Sequence, residues 1–235
     1  MGLGETSGLS AVFFDMDGTM VDSEPLWGEA TFELSEKLGR RITPEVRAAT
    51  VGGSFPNTLR ICAEFAGVTV TAAEARALKA EMFARVGELF TEHLRPNPGV
   101  RELLADLARA GIPTAVTTNT ERPLADIAID AVGSELFTTT VTGDQVPAFK
   151  PDPAMFLLAA QRVGADPAHC VVFEDSAAGM AGALAAGCVV VGLPGGAQES
   201  VPDGVRDLAE LAGERSFAGV RARDVAAWWQ LARRR

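Results

Sequence analysis

The sequence predicts an α/β fold: a parallel sheet flanked by helices, interrupted by an inserted α-helical unit. Three observations lead there. Short, uninterrupted apolar runs recur at 11–14, 114–117, 170–173 and 189–191, as expected of strands buried on both faces. Helical patterns at 100–110, 124–132, 153–163 and 177–186 alternate with them. Residues 21–95 break that rhythm and read as four helices, 25–38, 44–50, 57–66 and 71–94, with no strand.

Local signals support each element. Gly111, Gly164 and Gly187 stand just past predicted helix ends, where a residue without a Cβ is favoured. Thr71 with Glu74 forms a capping box for the last helix of the insert. Pro96, Asn97, Pro98 and Gly99 form a rigid link back to the sheet. The expected division is therefore an α/β domain of 1–20 and 96–235 and a helical domain of 21–95. Residues 177–197 are uncharged and nearly as long as a membrane span. Gly179, Gly182, Gly187, Gly192, Gly195, Gly196 and Pro194 interrupt them, so the stretch reads as a buried helix followed by a strand at 188–192.

The composition of the 235 residues, 47% hydrophobic and 22% charged, is that of a globular protein. A net charge of −10 speaks against nucleic-acid and anionic-membrane partners. Any anionic substrate must then be received by a metal or a few local cations. Cys62, Cys170 and Cys188 match no zinc spacing and read as reduced core thiols. Residues 1–10 are rich in Gly and Ser, carry no basic residue, and do not form a signal peptide. A cytoplasmic monomer is expected.

Open α/β sheets place their chemistry at the carboxyl ends of the strands. Asp15, Asp17, Gly18 and Thr19 follow the run 11–14; Thr117, Thr118 and Asn119 close the run 114–117; Glu174, Asp175 and Ser176 follow 170–173. Lys150 lies in the intervening segment Phe149-Lys150-Pro151-Asp152-Pro153. Asp15, Asp17, Glu174 and Asp175 are expected to converge, and so many carboxylates need a cation among them. Hard oxygen ligands with room for water and phosphate suit Mg2+. Lys150 would be the fixed cation. Thr118 and the backbone N–H groups of Asn119 and Asp17 could donate to phosphoryl oxygens. Gly18 would let the chain turn sharply beside the phosphate. A nucleophile, a metal, a cation and oxyanion donors around one point are the parts of a phosphoryl-transfer site.

The ordered segments FFDMDGT (13–19), TTN (117–119), KPDP (150–153) and FEDS (173–176) resemble the four motifs of the haloacid dehalogenase superfamily, and VDSEPLW (21–27) resembles its β-phosphoglucomutase-like sugar phosphatases with a small helical cap. The resemblance spans nearly the whole chain. It implies a Rossmann-like core and a phosphatase that acts on a small phosphorylated metabolite through an aspartyl-phosphate. Asp15 would be nucleophile and metal ligand. Asp17 would be general acid and then base, its backbone carbonyl also on the metal. Thr118 and Lys150 would hold the phosphoryl group. Asp175 would complete the Mg2+ site, with Glu174 ligating directly or through water. The helical domain would be a specificity cap, with residues 51–57 as its specificity loop and Phe55 and Pro56 in apolar contact with the leaving group. Glu24 is expected to face the crevice.

Two departures refine this. β-Phosphoglucomutases carry a His at the place of Trp27 and cap cations at the likely places of Val51 and Phe55. Their replacement favours hydrolysis over the alternative, a phosphosugar mutase. The acid at Asp17 argues against carbon–halogen cleavage. His93 and His169 are expected to be surface or structural residues. Trp228 and Trp229 are expected to pack on a C-terminal helix that ends in Arg233, Arg234 and Arg235.

Overall fold

The computed structural model describes residues 8–51, 54–195 and 201–233. Residues 1–7 of the N-terminal segment, 52–53 of the expected specificity loop, Gly196 of the uncharged stretch, and Arg234 and Arg235 lie outside the described residues. The chain divides into two compact units, Met1–Asp22 with Arg95–Arg235, and Ser23–Leu94.

The first unit is a six-stranded, all-parallel sheet with helices. Its elements are β1 (Ala11–Phe14), β2 (Thr114–Thr117), β3 (Thr139–Val141), β4 (Cys170–Glu174), β5 (Val189–Gly192) and β6 (Arg206–Asp207), in the spatial order β3-β2-β1-β4-β5-β6. The order reverses between β1 and β4, which is where such sheets open a crevice. Register then sets the level of the site. Phe14 pairs with Val116 on one side and Phe173 on the other. The next residues, Asp15, Thr117 and Glu174, therefore end three adjacent strands together.

Both faces of the sheet are covered, which explains the unbroken apolar runs. On one face Phe13 and Val172 join Met155, Phe156, Met180 and Val190 in a buried cluster. Alternation turns Phe14 and Phe173 the other way, where their rings stack at 5.2 Å and meet Phe217 at 5.9 and 5.1 Å. The strands β3 and β6 were not expected from the sequence. β3 reads Thr-Thr-Val with both threonines half-buried, and β6 is two charged residues. Each is an edge strand held by backbone pairing, so neither carries an apolar run.

The second unit contains α1 (Glu24–Lys37), α2 (Pro44–Ala48), α3 (Phe55–Ala66) and α4 (Ala72–His93). The Thr71–Glu74 capping box is present. Trp27 meets Phe83 and Phe90 edge-on at 6.1 and 5.9 Å, and Phe55 meets Phe83 at 6.2 Å. The remaining helices belong to the first unit: α5 (Val100–Arg109), α6 (Arg122–Val132), α7 (Ala154–Val163), α8 (Ala177–Ala185), α9 (Leu208–Ala212) and α10 (Ala222–Ala232). Gly111, Gly164 and Gly187 all have positive φ at helix ends. The three cysteines are buried and unpaired. Burial pushes Cys62 up to about 11 and Cys170 and Cys188 up to about 12, so these thiols stay protonated. His93 is exposed beside Glu92, and His169 meets Trp229 of α10 edge-on at 5.5 Å. Among the described residues no helix is long and apolar enough to cross a membrane.

Candidate active site

At the carboxyl ends of β1, β2 and β4 the α/β unit buries a lysine among carboxylates. Lys150 Nζ donates to Asp15 Oδ1 at 2.6 Å, to the Thr117 carbonyl at 2.9 Å, and to Glu174 Oε1. All three donor positions of the ammonium are thus directed by strand ends. Its side chain also lies 5.4 Å over the Phe156 ring. The segment is held from behind as well, because the Lys150 backbone N–H donates to Asn119 Oδ1 at 3.0 Å. The Lys150–Pro151 peptide bond is cis.

Glu174 is fully buried. Its second oxygen, Oε2, accepts from the Ser176 hydroxyl at 3.0 Å and the Ser176 N–H at 3.3 Å, and Ser176 in turn caps α8 through the Gly179 N–H. Gly179 leaves the space this carboxylate needs: a Cβ there would stand 2.0 Å from it. Asp175 uses a second glycine in the same way. A Cβ on Gly18 would fall 2.1 Å from Asp175 Oδ2, and Gly18 has φ +79°.

Asp15, Glu174 and Asp175 each offer an oxygen within 4.8 Å of the others. Asp15 Oδ2 is buried and lacks a hydrogen-bond partner, an expensive state for a carboxylate oxygen unless a cation meets it. Burial, and then the charge of Glu174, push Asp15 well above the ordinary carboxylate range despite Lys150. Burial and Glu174 push Asp175 up to about 7. Burial alone would lower Lys150, but Asp15 and Glu174 outweigh it and hold the ammonium above its ordinary range. The orphaned Asp15 oxygen and the all-oxygen donor set fit a hard divalent cation, so the triad could hold a metal ion.

All four expected carboxylates stand close enough to act on one another by charge, Asp17 on both Asp15 and Asp175, while Asp15, Glu174 and Asp175 offer oxygens within 4.8 Å of each other. The Asp17 side chain is engaged by Thr120, whose hydroxyl donates to Asp17 Oδ2 at 2.7 Å. Asp17 is drawn there because residues 16–21 form a tight turn, with the Gly18 N–H on the Val21 carbonyl at 2.9 Å. Asn97 fastens that turn to the returning chain by donating to the Gly18 and Thr19 carbonyls at 3.3 and 2.9 Å. Thr118 is buried, and its Oγ1 accepts the Thr120 N–H at 3.0 Å, so its own hydroxyl proton can serve a phosphoryl oxygen.

Glu24 lies in the helical unit, at the first position of α1, and pairs with the buried Arg47 at 3.0 Å. With Arg47, Phe32 and Val51 it lines a cleft of about 500 Å³ in that unit. The residues whose part at these sites the sequence did not point to are Thr120, Arg47 and Gly179, the last read there only as an interruption of the uncharged stretch. None carries a local signal, since each matters through a partner far along the chain or through space it leaves open.

The model of the haloacid dehalogenase-like hydrolases matches residues 9–187. The phosphorylated carbohydrates phosphatase of Thermotoga maritima is 35% identical over 180 residues, 76% of this chain and 82% of that protein. Hexitol phosphatase A of Escherichia coli is 35% identical over 182 residues, 76% of this chain and 80% of that protein. Among solved structures, CbbY of Rhodobacter sphaeroides in complex with phosphate superposes with a TM-score of 0.75 at 27% identity, covering 90% of this chain and 96% of that one. The chain therefore belongs to the haloacid dehalogenase-like hydrolases, in their β-phosphoglucomutase-like and sugar-phosphatase-like branch with a helical cap.

Proposed function

We propose that the protein is a Mg2+-dependent phosphomonoesterase of a sugar phosphate or similar small metabolite, working through an aspartyl-phosphate on Asp15. One observation carries the reading: Asp15, at the point where the strand order reverses, has one oxygen on Lys150 and the other buried without a partner, beside Glu174 and Asp175. Relatives that are themselves a phosphorylated carbohydrates phosphatase and a hexitol phosphatase support the substrate class.

Asp15, Asp175, the Asp17 backbone carbonyl and Glu174 would hold the metal, which supplies positive charge against the carboxylates and the phosphoryl oxygens. The Asp15 carboxylate attacks phosphorus. The bond to the leaving oxygen breaks as Asp17 delivers a proton to that oxygen. A water then attacks the aspartyl-phosphate while Asp17 takes its proton, so Asp15 and Asp17 both return to their starting forms. Lys150 and the Thr118 hydroxyl hold the phosphoryl oxygens, joined by the Asn119 N–H, and Gly18 gives the backbone room to approach. The helical unit selects the leaving group, with Glu24 as one of its contacts.

Phosphate release from a panel of sugar phosphates, nucleotides and phosphoglycolate, with Mg2+ and then with chelator, tests this. Mg2+-dependent release from a sugar phosphate is the expected result. No release from any member would sink the proposal, and a phosphorus NMR spectrum showing isomerised phosphosugar without free phosphate would replace it with the mutase.

A further inference from the structure

Thr120 stands in the loop between β2 and α6 and has an unusually determined position. Its N–H donates to Thr118 Oγ1 at 3.0 Å, and its carbonyl accepts from the Gly143 N–H at 3.1 Å. Gly143 comes this near because it lacks a Cβ, which would meet the Asn119 carbonyl oxygen at 2.2 Å. The backbone is thus fastened on both sides, and the side chain is aimed at Asp17 Oδ2, 2.7 Å away and 103 positions distant in sequence.

We propose that Thr120 is a positioning residue that holds the Asp17 carboxyl in line for proton transfer in both halves of the reaction. The inference rests on the reading of Asp17 as acid and base given above. In the first half Asp17 begins as the acid and ends as the carboxylate, its proton leaving with the departing oxygen. In the second half it takes a proton from the attacking water as the Asp15–phosphorus bond breaks. Whatever orients Asp17 must therefore meet both forms. A hydroxyl does so, because it donates to Oδ2 both when Asp17 is the carboxylate and when it is the acid, whose transferable proton then sits on the other oxygen. A lysine at this place would add a positive charge and favour the carboxylate over the acid. The short, doubly fastened loop also ties this contact to Thr118, so the residue that orients the proton carrier and the residue that holds the phosphoryl group share one backbone segment.

The test uses the Mg2+-loaded enzyme and two kinds of substrate. One is a hexose phosphate that the wild type hydrolyses, whose alkoxide leaving group needs a proton. The other is p-nitrophenyl phosphate, whose leaving group departs without one. Thr120→Val keeps the shape and removes the hydroxyl, and Thr120→Ala guards against a packing defect. Both should lower kcat/KM for the hexose phosphate by about 10- to 100-fold, mainly in kcat, because a positioned acid contributes on the order of 10²-fold or more. The loss for p-nitrophenyl phosphate should be several times smaller, since kcat/KM there reports a step that does not need the acid. Thr120→Ser should restore most of the activity. Equal losses on both substrates, no loss at all, or failure of Thr120→Ser to recover would overturn the proposal while leaving the phosphatase reading standing. A wild type that hydrolyses neither substrate would remove both.

Discussion

The two units differ in one use of charge: both carry exposed pairs, such as Arg122–Asp126 of the α/β unit, but that unit also buries a charged cluster. In the α/β unit a few charges are buried: the Lys150 side chain is 3% exposed, Asp15 9% and Glu174 0%, and they share hydrogen bonds with backbone and Ser176. In the helical unit the pairs lie at the surface, such as Lys37–Glu81 at 54% and 55% exposure and Arg60–Glu64 at 56% and 65%. Exposed pairs of this kind contribute little to stability. A buried cluster instead costs much to assemble and still more to leave half-made. Two like-charged carboxylates around one lysine are a poor way to stabilise a fold. The arrangement makes sense as a receptacle for a further cation and a phosphoryl group. Arg47 marks the boundary of the contrast, being the buried cation of the helical unit whose Nε lacks a partner while the rest of its guanidinium meets Glu24 and Thr50.

The sharpest way to break the contrast is Lys150→Met. It should abolish phosphate release and destabilise the metal-free protein by about 3 kcal/mol or more, read in a denaturant titration, because two buried carboxylates lose their counter-charge. A stability change near zero would mean that the cluster is better hydrated than its burial implies. Asp15→Asn should likewise remove steady-state turnover, while circular dichroism and the melting transition stay close to wild type, since the substitution relieves repulsion with Glu174. Measurable turnover in that variant would show that Asp15 is not the nucleophile.

Gly18→Ala comes next. The added Cβ would collide with the Asp175 carboxylate, and the positive φ adds strain of about 1 kcal/mol. Mg2+ affinity in a calorimetric titration should fall by about tenfold or more, with a smaller change in melting temperature. An unchanged affinity would show that Asp175 can move aside without loss.

The pH dependence of the metal-free protein should be gentler and has a definite sign. Asp175 is raised from 3.8 to about 7, and Asp15 is raised as well. A carboxyl raised in the folded state binds its proton more tightly there than in the unfolded chain. Its contribution is therefore complete below about pH 4 and is lost as pH rises through about 7. In chelator the melting temperature should fall between pH 4 and pH 7 more than in Mg2+, where the cation takes the place of the protons. Identical profiles with and without Mg2+ would contradict a metal at this triad. At the small end, Arg60→Ala should move the melting temperature by no more than about 1 °C, and a larger shift would undo the distinction between the two units.

Much of the fold was legible because its signals are local. The runs at 11–14 and 114–117 became strands with those limits, and the helices that glycines terminate ended where their positive-φ residues stand. β3 and β6 escaped notice because edge strands this short are made by hydrogen bonds to a neighbour, and their own residues are polar or charged. At the site, the residue types were readable since carboxylates, a lysine and a threonine follow consecutive strand ends. Their pairing was not. That Asn119 holds the Lys150 backbone through its side chain, rather than offering only its N–H to a ligand, depends on how two loops meet.

The sequence by itself determined an α/β unit with a helical insert, and which residues end its strands, because apolar runs, glycine stops and caps act over a few residues. Tertiary structure alone decided that β1 lies between β2 and β4, that Asp15, Glu174 and Asp175 close to within 4.8 Å, and that Asp17 turns to Thr120. Those are contacts across a hundred positions or more, set by sheet order, register and the space that Gly18, Gly143 and Gly179 leave open. No local propensity encodes them.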